Sequence, residues 1–180
     1  MTAEAHPLLS FDAYVAGQVD AATRLEYVNG RVYVMAGASE QHDLCVSQVV
    51  RRFFGAESRG CRVFDHNRKV RTRLRDATYY PDVMVVCGPA ANTYYEDDAV
   101  VIAEVMSPST RDIDRREKAL AYSTLPSLQM YLLVDLEVGQ IDVSVPGEVG
   151  WRSHGEGDVI FTPAGDLDVS AVFGAVRALS

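Results

Sequence analysis

Two stretches, Tyr80-Pro81-Asp82-Val83-Met84-Val85-Val86-Cys87 and Val100-Val101-Ile102-Ala103-Glu104-Val105, decide how this chain folds. Both are short apolar runs rich in β-branched residues, the composition of buried strands. A single carboxylate interrupts each. Between them, Gly88-Pro89-Ala90-Ala91-Asn92 and Glu96-Asp97-Asp98 read as loop. An antiparallel hairpin centred on Thr93 sets Asp82 directly opposite Glu104 on one face, where Cβ atoms lie about 5 Å apart. Carboxylates that close in an apolar sheet repel, and burial adds to the cost. The pattern therefore calls for a positive partner, either a divalent metal or a lysine or arginine. Spacing alone leaves a plainer alternative open: two acids at a solvated sheet end, which Pro81 at a strand start partly supports. Hard cations such as Mg²⁺ take one or two carboxylates plus water and substrate phosphates. No cysteine and histidine set suited to zinc accompanies these acids.

The 180 residues suit one domain, 1–180, burying about 70% of its unfolded surface. A hydrophobic content of 48% with 23% charged residues is ordinary for a globular protein in water. No apolar run is long enough to span a membrane. The stretch Met1 to Pro7 lacks the basic and apolar regions of a signal peptide. Cys45, Cys61 and Cys87 are odd in number and widely spaced; Cys45 and Cys87 sit in apolar settings expected of buried thiols, so a reducing cytoplasm fits best. The net charge of −8 means that the surface as a whole does not attract nucleic acid, and any such partner needs a local basic patch. Of the 17 cationic residues only Lys69 and Lys118 are lysines, so each invites its own explanation.

Working outward, Phe11 to Ala16 is a short helix with Ser10 as N-cap and Gly17 past its end. Arg24 to Met35 carries Asn29-Gly30 between alternating residues, the strongest local hairpin signal. Glu40 to Glu57 is a helix capped by Ser39, with Cys45, Val46, Val49, Val50, Phe53 and Phe54 on a broad apolar stripe. Strands are expected over 60–65 and 68–75, and in the second Lys69, Arg71, Arg73 and Arg75 would share one face. Ser107-Pro108-Ser109-Thr110 opens a second long helix from Arg111 to about Thr124, ended by Pro126. Strands follow at 130–134 and 141–145, with short strands and a terminal segment beyond. This order predicts an α/β fold with a mixed central sheet flanked by helices, an N-terminal hairpin and extra C-terminal strands.

Several side chains carry both a structural and a functional reading. Lys118, four residues from both Asp114 and Tyr122, fits an i,i+4 ion pair on a solvated face. A lysine in the second turn of that helix also reaches back over Glu104, where an ammonium stabilises charge on a phosphoryl oxygen. Glu26, before the Asn-Gly turn, reads first as an outward-facing hairpin acid. His42, in the first turn of its helix, reads as a cap-region histidine or as a base. Lys69, Arg71, Arg73 and Arg75 either balance nearby acids on a solvated face or track a phosphate backbone.

Pro81-Asp82 followed by Glu104 after an apolar strand resembles the PD-(D/E)xK nuclease signature. More specifically, Leu25-Glu26-Tyr27-Val28-Asn29-Gly30, Ser39-x-x-His42, Pro81-Asp82-Val83, Glu104-Val105-Met106-Ser107-Pro108-Ser109-Thr110, Asp114-x-x-x-Lys118-x-x-x-Tyr122 and Tyr131-x-x-Val134-Asp135 are similar to the Uma-two family of restriction-type endonucleases. The similarity runs from about Ser10 to Val145 with the motifs in the family's order. It implies a restriction-endonuclease-like core in the order helix, three strands, helix, strand. It also implies Asp82 and Glu104 as ligands for Mg²⁺ or Mn²⁺, Glu26 as a third acid near the site, and His42 as a further site residue. Met106 replaces the signature lysine two positions after Glu104, and the resemblance assigns that lysine to Lys118 on the following helix.

The expected activity is metal-dependent hydrolysis of DNA phosphodiester bonds by a cytoplasmic protein, with Lys118 assisting and a homodimer as the commonest assembly. A rival of another class is a catalytically degenerate nucleic-acid-binding or interaction module, supported by Met106. A hydrolase of small phosphorylated molecules is less favoured, because no glycine-rich phosphate loop is present.

Overall fold

The computed structural model describes residues 8–18, 23–35, 37–90 and 92–178. The reading of Met1 to Pro7, and Ala91 in the expected loop, lie outside them. The N-terminal helix α1, Phe11–Gly17, starts at Ser10, whose hydroxyl accepts from the Ala13 amide. Strands β1, Leu25–Val28, and β2, Arg31–Val34, form the expected hairpin, with both turn residues at positive φ (Asn29 +49°, Gly30 +82°). Asparagine and glycine tolerate that region at little cost, and its twist matches the flanking strands.

Helix α2, Glu40–Phe53, is capped by Ser39 and buries Cys45, Val46, Val49 and Phe53. It ends four residues earlier than the sequence pattern suggested: a 3₁₀ turn, Phe54–Arg59, follows, and Phe54 turns out to solvent. The next strands are β3, Cys61–Asp65, β4, Lys69–Thr72, and β5, Ala77–Tyr79. The basic stretch is thus not one strand. Thr72 pairs with Ala77, and Arg73–Arg75 make the 3₁₀ turn of a tight hairpin that closes through Asp76 at φ +45°.

Strand β6, Val83–Cys87, pairs antiparallel with β8, Ala99–Met106, in the register inferred from sequence: Val83 faces Ala103, Met84 faces Ile102 and Val85 faces Val101. A bulge follows at Val86. The intervening segment is not all loop. Tyr95–Glu96 is a two-residue strand, β7, beside β4, and the wholly buried Glu96 carboxylate accepts from Arg62 and Arg68.

The second long helix is unusual. A π-helical stretch, Ile113–Lys118, runs straight into α3, Ala119–Tyr122. After it come β9, Met130–Asp135, parallel to β8, then β10, Gln140–Ser144, β11, Arg152–His154, and the hairpin of β12, Val159–Thr162, with β13, Gly165–Asp168. The terminal segment is a helix, α4, Val169–Arg177, capped by Asp168.

The strands make a six-stranded sheet, β11-β10-β9-β8-β6-β3, a five-stranded sheet, β2-β1-β5-β4-β7, and the small β12-β13 pair. The mixed α/β expectation therefore holds, with the N-terminal hairpin belonging to the second, five-stranded sheet. On one face of the six-stranded sheet, Val85, Val101, Ala103, Val105 and Leu132 pack against α2 and α4. On the other, Met84, Ile102, Met106, Tyr131 and Leu133 pack against Tyr79 and Val70 of the five-stranded sheet and Tyr122 of α3. Asp82, Glu104 and Lys118 belong to the end of that second interface.

Cys61 and Cys87 stand directly opposite in the β3–β6 register and form a disulfide, leaving Cys45 as a free buried thiol. Cys87 is therefore not the thiol its apolar setting suggested, and the cysteine content gives no argument for a reducing compartment. Among the described residues no helix is long and apolar enough to cross a membrane.

Glu96→Ala removes the acceptor shared by two arginines. Because both guanidiniums keep some contact with water, the expected loss is about 2–3 kcal/mol, below the range for a fully enclosed pair. Urea denaturation measures it, and an unchanged midpoint would mean that Glu96 is not holding β7 in place.

Candidate active site

The β6–β8 register brings Asp82 and Glu104 together. Asp82 lies in the bend just before β6, one position beyond the Val83–Ala103 pair, and so faces Glu104. Its Oδ2 accepts from the Val105 amide at 2.8 Å and meets His42 Nε2 at 3.1 Å. His42 is placed by the first turn of α2, its own amide donating to the capping hydroxyl of Ser39. Its Nδ1 lies 3.5 Å from Asp43. The hydrogen bond to Asp82 holds the imidazole above its ordinary pKa, against the opposing effect of burial.

Glu104 is 2% exposed and faces the interior between the two sheets. Lys118 Nζ donates to its Oε1 at 3.0 Å, and the Tyr122 hydroxyl donates to the same oxygen at 2.7 Å. Lys118 also reaches Asp114 Oδ1 at 3.0 Å. The π-helical stretch contains both of these residues, and the Tyr131 hydroxyl donates to the Asp114 carbonyl within it. Widened turns of this kind recur at functional sites. Tyr122 is wedged edge-on between Tyr79 and Tyr131, at centroid distances of 5.6 and 5.2 Å, which fixes the direction of its hydroxyl.

Met106, at the position of the signature lysine, is buried in the same apolar cluster as Ile102. Glu104 and Met106 share a strand face, so a lysine there would place its stem in the core. Lys118 brings the cation to Glu104 from the helix side instead.

Glu26 approaches from the five-stranded sheet. Its Oε1 accepts from the Tyr80 amide at 3.1 Å, and it is close enough to Lys118 to feel its charge. It is not the solvated hairpin acid that its position alone suggested. Burial raises its carboxyl above the usual range, Lys118 and the Tyr80 amide pull it down, and Asp114 and Glu117 add to the rise.

The charge in this region is unbalanced. Burial opposes the charge on Lys118, yet Glu104, Asp114, Glu26 and Asp82 together raise its pKa well above the ordinary lysine value. Burial likewise pushes the Glu104 carboxyl up, with Lys118 opposing and Asp82 and Asp114 reinforcing. One buried cation thus serves several acids. Among the described residues no three acidic, histidine or cysteine side chains converge as a ready-made cage. The two-carboxylate set nonetheless suits a hard cation that keeps most of its own water. Among the described residues the hydrogen bonds to Glu104 go to Oε1 and those to Asp82 go to Oδ2, and none goes to Oε2 or Oδ1.

The basic residues do not form the expected stripe. Lys69 and Arg71, each 7% exposed, are covered by α1. Lys69 Nζ lies over the rings of Tyr14 and Tyr80, while Arg71 stacks on Phe11 at 3.7 Å and pairs with Asp76. Arg73 and Arg75 lie in the hairpin turn, with Arg73 on Asp97. Alternation along a strand cannot align four basic residues when the strand, Lys69–Thr72, ends after the second of them.

The mixed α/β fold has a counterpart among solved structures. A crystal structure described as a putative nuclease belonging to DUF820 from Anabaena variabilis superposes with a TM-score of 0.75 over 92% of this chain and 97% of that one, at 16% identity. Residues 11–171 match the Uma2 family model, described as "Putative restriction endonuclease". This chain belongs to the Uma2 family. Two uncharacterized proteins of Synechocystis sp. are similar to it: one is 30% identical over 76% of this chain and 74% of its own length, the other 29% identical over 71% and 75%.

Tyr122 was missed as a site residue although it stood in the sequence four positions beyond Lys118. Its signal was the helical spacing that continues the Asp114–Lys118 ladder. The raised Glu26 carboxyl predicts a measurable effect. The folded state keeps this proton to a higher pH than the unfolded chain, so an ionised Glu26 lowers stability above the unfolded-state pKa and has no such effect below it. Glu26→Gln should raise Tm at pH 7–8 in EDTA and leave it unchanged near pH 4. Equal Tm values at both pH values would remove Glu26 from the charge cluster.

Proposed function

We propose that this protein is a Mg²⁺- or Mn²⁺-dependent DNA endonuclease with Asp82 and Glu104 as its metal-holding pair. One observation carries the reading: two carboxylates set side by side by strand register, each with one oxygen held by donors and the other without a hydrogen bond among the described residues. A main-chain carbonyl near Val105 is a further candidate donor. When bound, a divalent ion supplies Lewis acidity toward a phosphoryl oxygen and lowers the pKa of water at the site.

The remaining roles belong to side chains. Lys118, held protonated by its acidic neighbours, does not act as a base; it orients Glu104 and places a fixed positive charge where negative charge develops on the phosphate. Tyr122 orients the same carboxylate. His42 and the Val105 amide fix Asp82. The imidazole is also the partly solvated group suited to passing a proton to or from water.

Met106 in the core favours a second reading, a nuclease fold that binds nucleic acid without cutting it. Incubation of supercoiled and single-stranded DNA with Mg²⁺, Mn²⁺ or EDTA separates the two. Metal-dependent nicking should fall at least about 10²-fold in Glu104→Ala and in Lys118→Met. Equal activity in wild type and variants would signify a contaminant, and salt-sensitive binding with no cleavage would favour the second reading.

Tyr122→Phe keeps the ring contacts and removes only the donor. Its expected effect is an about tenfold loss of Mn²⁺ affinity by titration calorimetry with little change in Tm. Unaltered affinity would exclude Tyr122 from positioning Glu104.

A further inference from the structure

Strand β2 is the outer edge of the five-stranded sheet, and all four of its residues are exposed. Its register with β1 sets Tyr33 opposite Glu26 and Arg31 opposite Val28. Directly opposed residues share a sheet face, as do residues two apart on one strand. Tyr33 and Arg31 therefore stand on the same face as Glu26. That face continues inward through the β1–β5 pairing to Tyr79, whose hydroxyl donates to Glu117 and whose ring lies 6.0 Å from Lys118 Nζ. A row runs from the open edge, through Tyr33 and Glu26, to the Lys118 side of the candidate site. Neighbouring strands are about 4.8 Å apart, so Tyr33 lies only one strand out from Glu26.

Tyr33 is 50% exposed and Arg31 is also exposed, and neither side chain makes a hydrogen bond, ion pair or ring contact among the described residues. This contrasts with Lys69 and Arg71, whose charges are already held by aromatic rings or Asp76. An uncommitted aromatic face beside an uncommitted guanidinium has the chemistry of a single-stranded nucleic-acid subsite: the ring stacks on a base and the cation meets a phosphate. A base can offer its face in this way only when it is unpaired.

Resting on the nuclease reading above, we propose that strand β2 is the substrate-engaging edge of the site: Tyr33 stacks on an unpaired base flanking the scissile phosphate, and Arg31 contacts a neighbouring phosphate. The substrate class is thus single-stranded DNA, or a frayed or displaced strand, rather than intact duplex. The acidic character of the rest of the surface makes this local pairing of charge and aromatic ring more necessary, since long-range attraction is absent.

The test is binding of a short fluorescent single-stranded oligonucleotide by anisotropy in EDTA, with its duplex form in parallel and DNA nicking in Mg²⁺ as the activity control. Tyr33→Ala should weaken single-strand binding about tenfold, and Tyr33→Phe should restore it. Arg31→Ala should reduce the slope of log affinity against log salt by about one. Wild-type cleavage of DNA with unchanged binding by both alanine variants would overturn the subsite and leave the nuclease reading intact. Loss of a wild-type dimer in Tyr33→Ala, seen by light scattering, with single-strand affinity unaltered would also overturn it, making β2 a subunit interface. Wild-type protein that neither binds nor cleaves DNA would instead overturn the nuclease reading and this inference with it.

Discussion

The buried contact between Lys118 and Glu104 is the constraint on which the rest of this site depends. An acid at the centre of an apolar strand is costly to ionise unless a positive charge is close. Here the charge arrives from another element, and several features follow from that arrival. The π-helical turn contains Lys118 and Asp114 together, Tyr131 ties down the carbonyl of that turn, and Tyr122 one turn later donates to the same carboxylate oxygen. Met106 is then free to serve the core. Lys118 pairs directly with Glu104 and Asp114, while Glu26 and Asp82 also feel its charge, so one buried cation is shared among several acids.

The two sheets divide the labour. The six-stranded sheet supplies Asp82 and Glu104 by register, a placement that a slip of one residue would destroy by turning one acid to the opposite face. The five-stranded sheet brings Glu26 from across the interface and carries an open edge beside it. Helix α2 packs on the far face yet projects His42 from its first turn to Asp82, so all three layers meet at one end of the central strands. Lys69 and Arg71 show the opposite use of charge, since their cations bind α1 to the sheet through aromatic rings.

Much of this was legible in the sequence where local chemistry and long-range pairing agree. Asn29-Gly30, the Ser39 cap and the β6–β8 register each carry a local signal strong enough to fix geometry. The basic stretch misled because alternation was extended through Arg73 to Arg75, whereas Asp76 at positive φ and its pairing with Arg71 turn the chain back after Thr72. The Cys61–Cys87 bond was hidden because it depends on which strands are neighbours, and β3 beside β6 is a tertiary fact. The π-helix has no marker of its own in sequence; Asp114, Lys118 and Tyr122 keep the spacing of an ordinary helix. The terminal α4 was ambiguous because Val169 to Val176 is rich in β-branched residues, and its packing on α2 overrides that propensity.

The proposed site has Asp82 and Glu104 sharing one divalent ion. Anomalous diffraction from crystals soaked in Mn²⁺ tests it most directly. A single strong peak is expected between these two carboxylates, within about 2.0–2.3 Å of an oxygen of each, and it should disappear in Glu104→Ala. No peak at this position under saturating Mn²⁺, or a peak bound elsewhere and unaffected by the substitution, would contradict it.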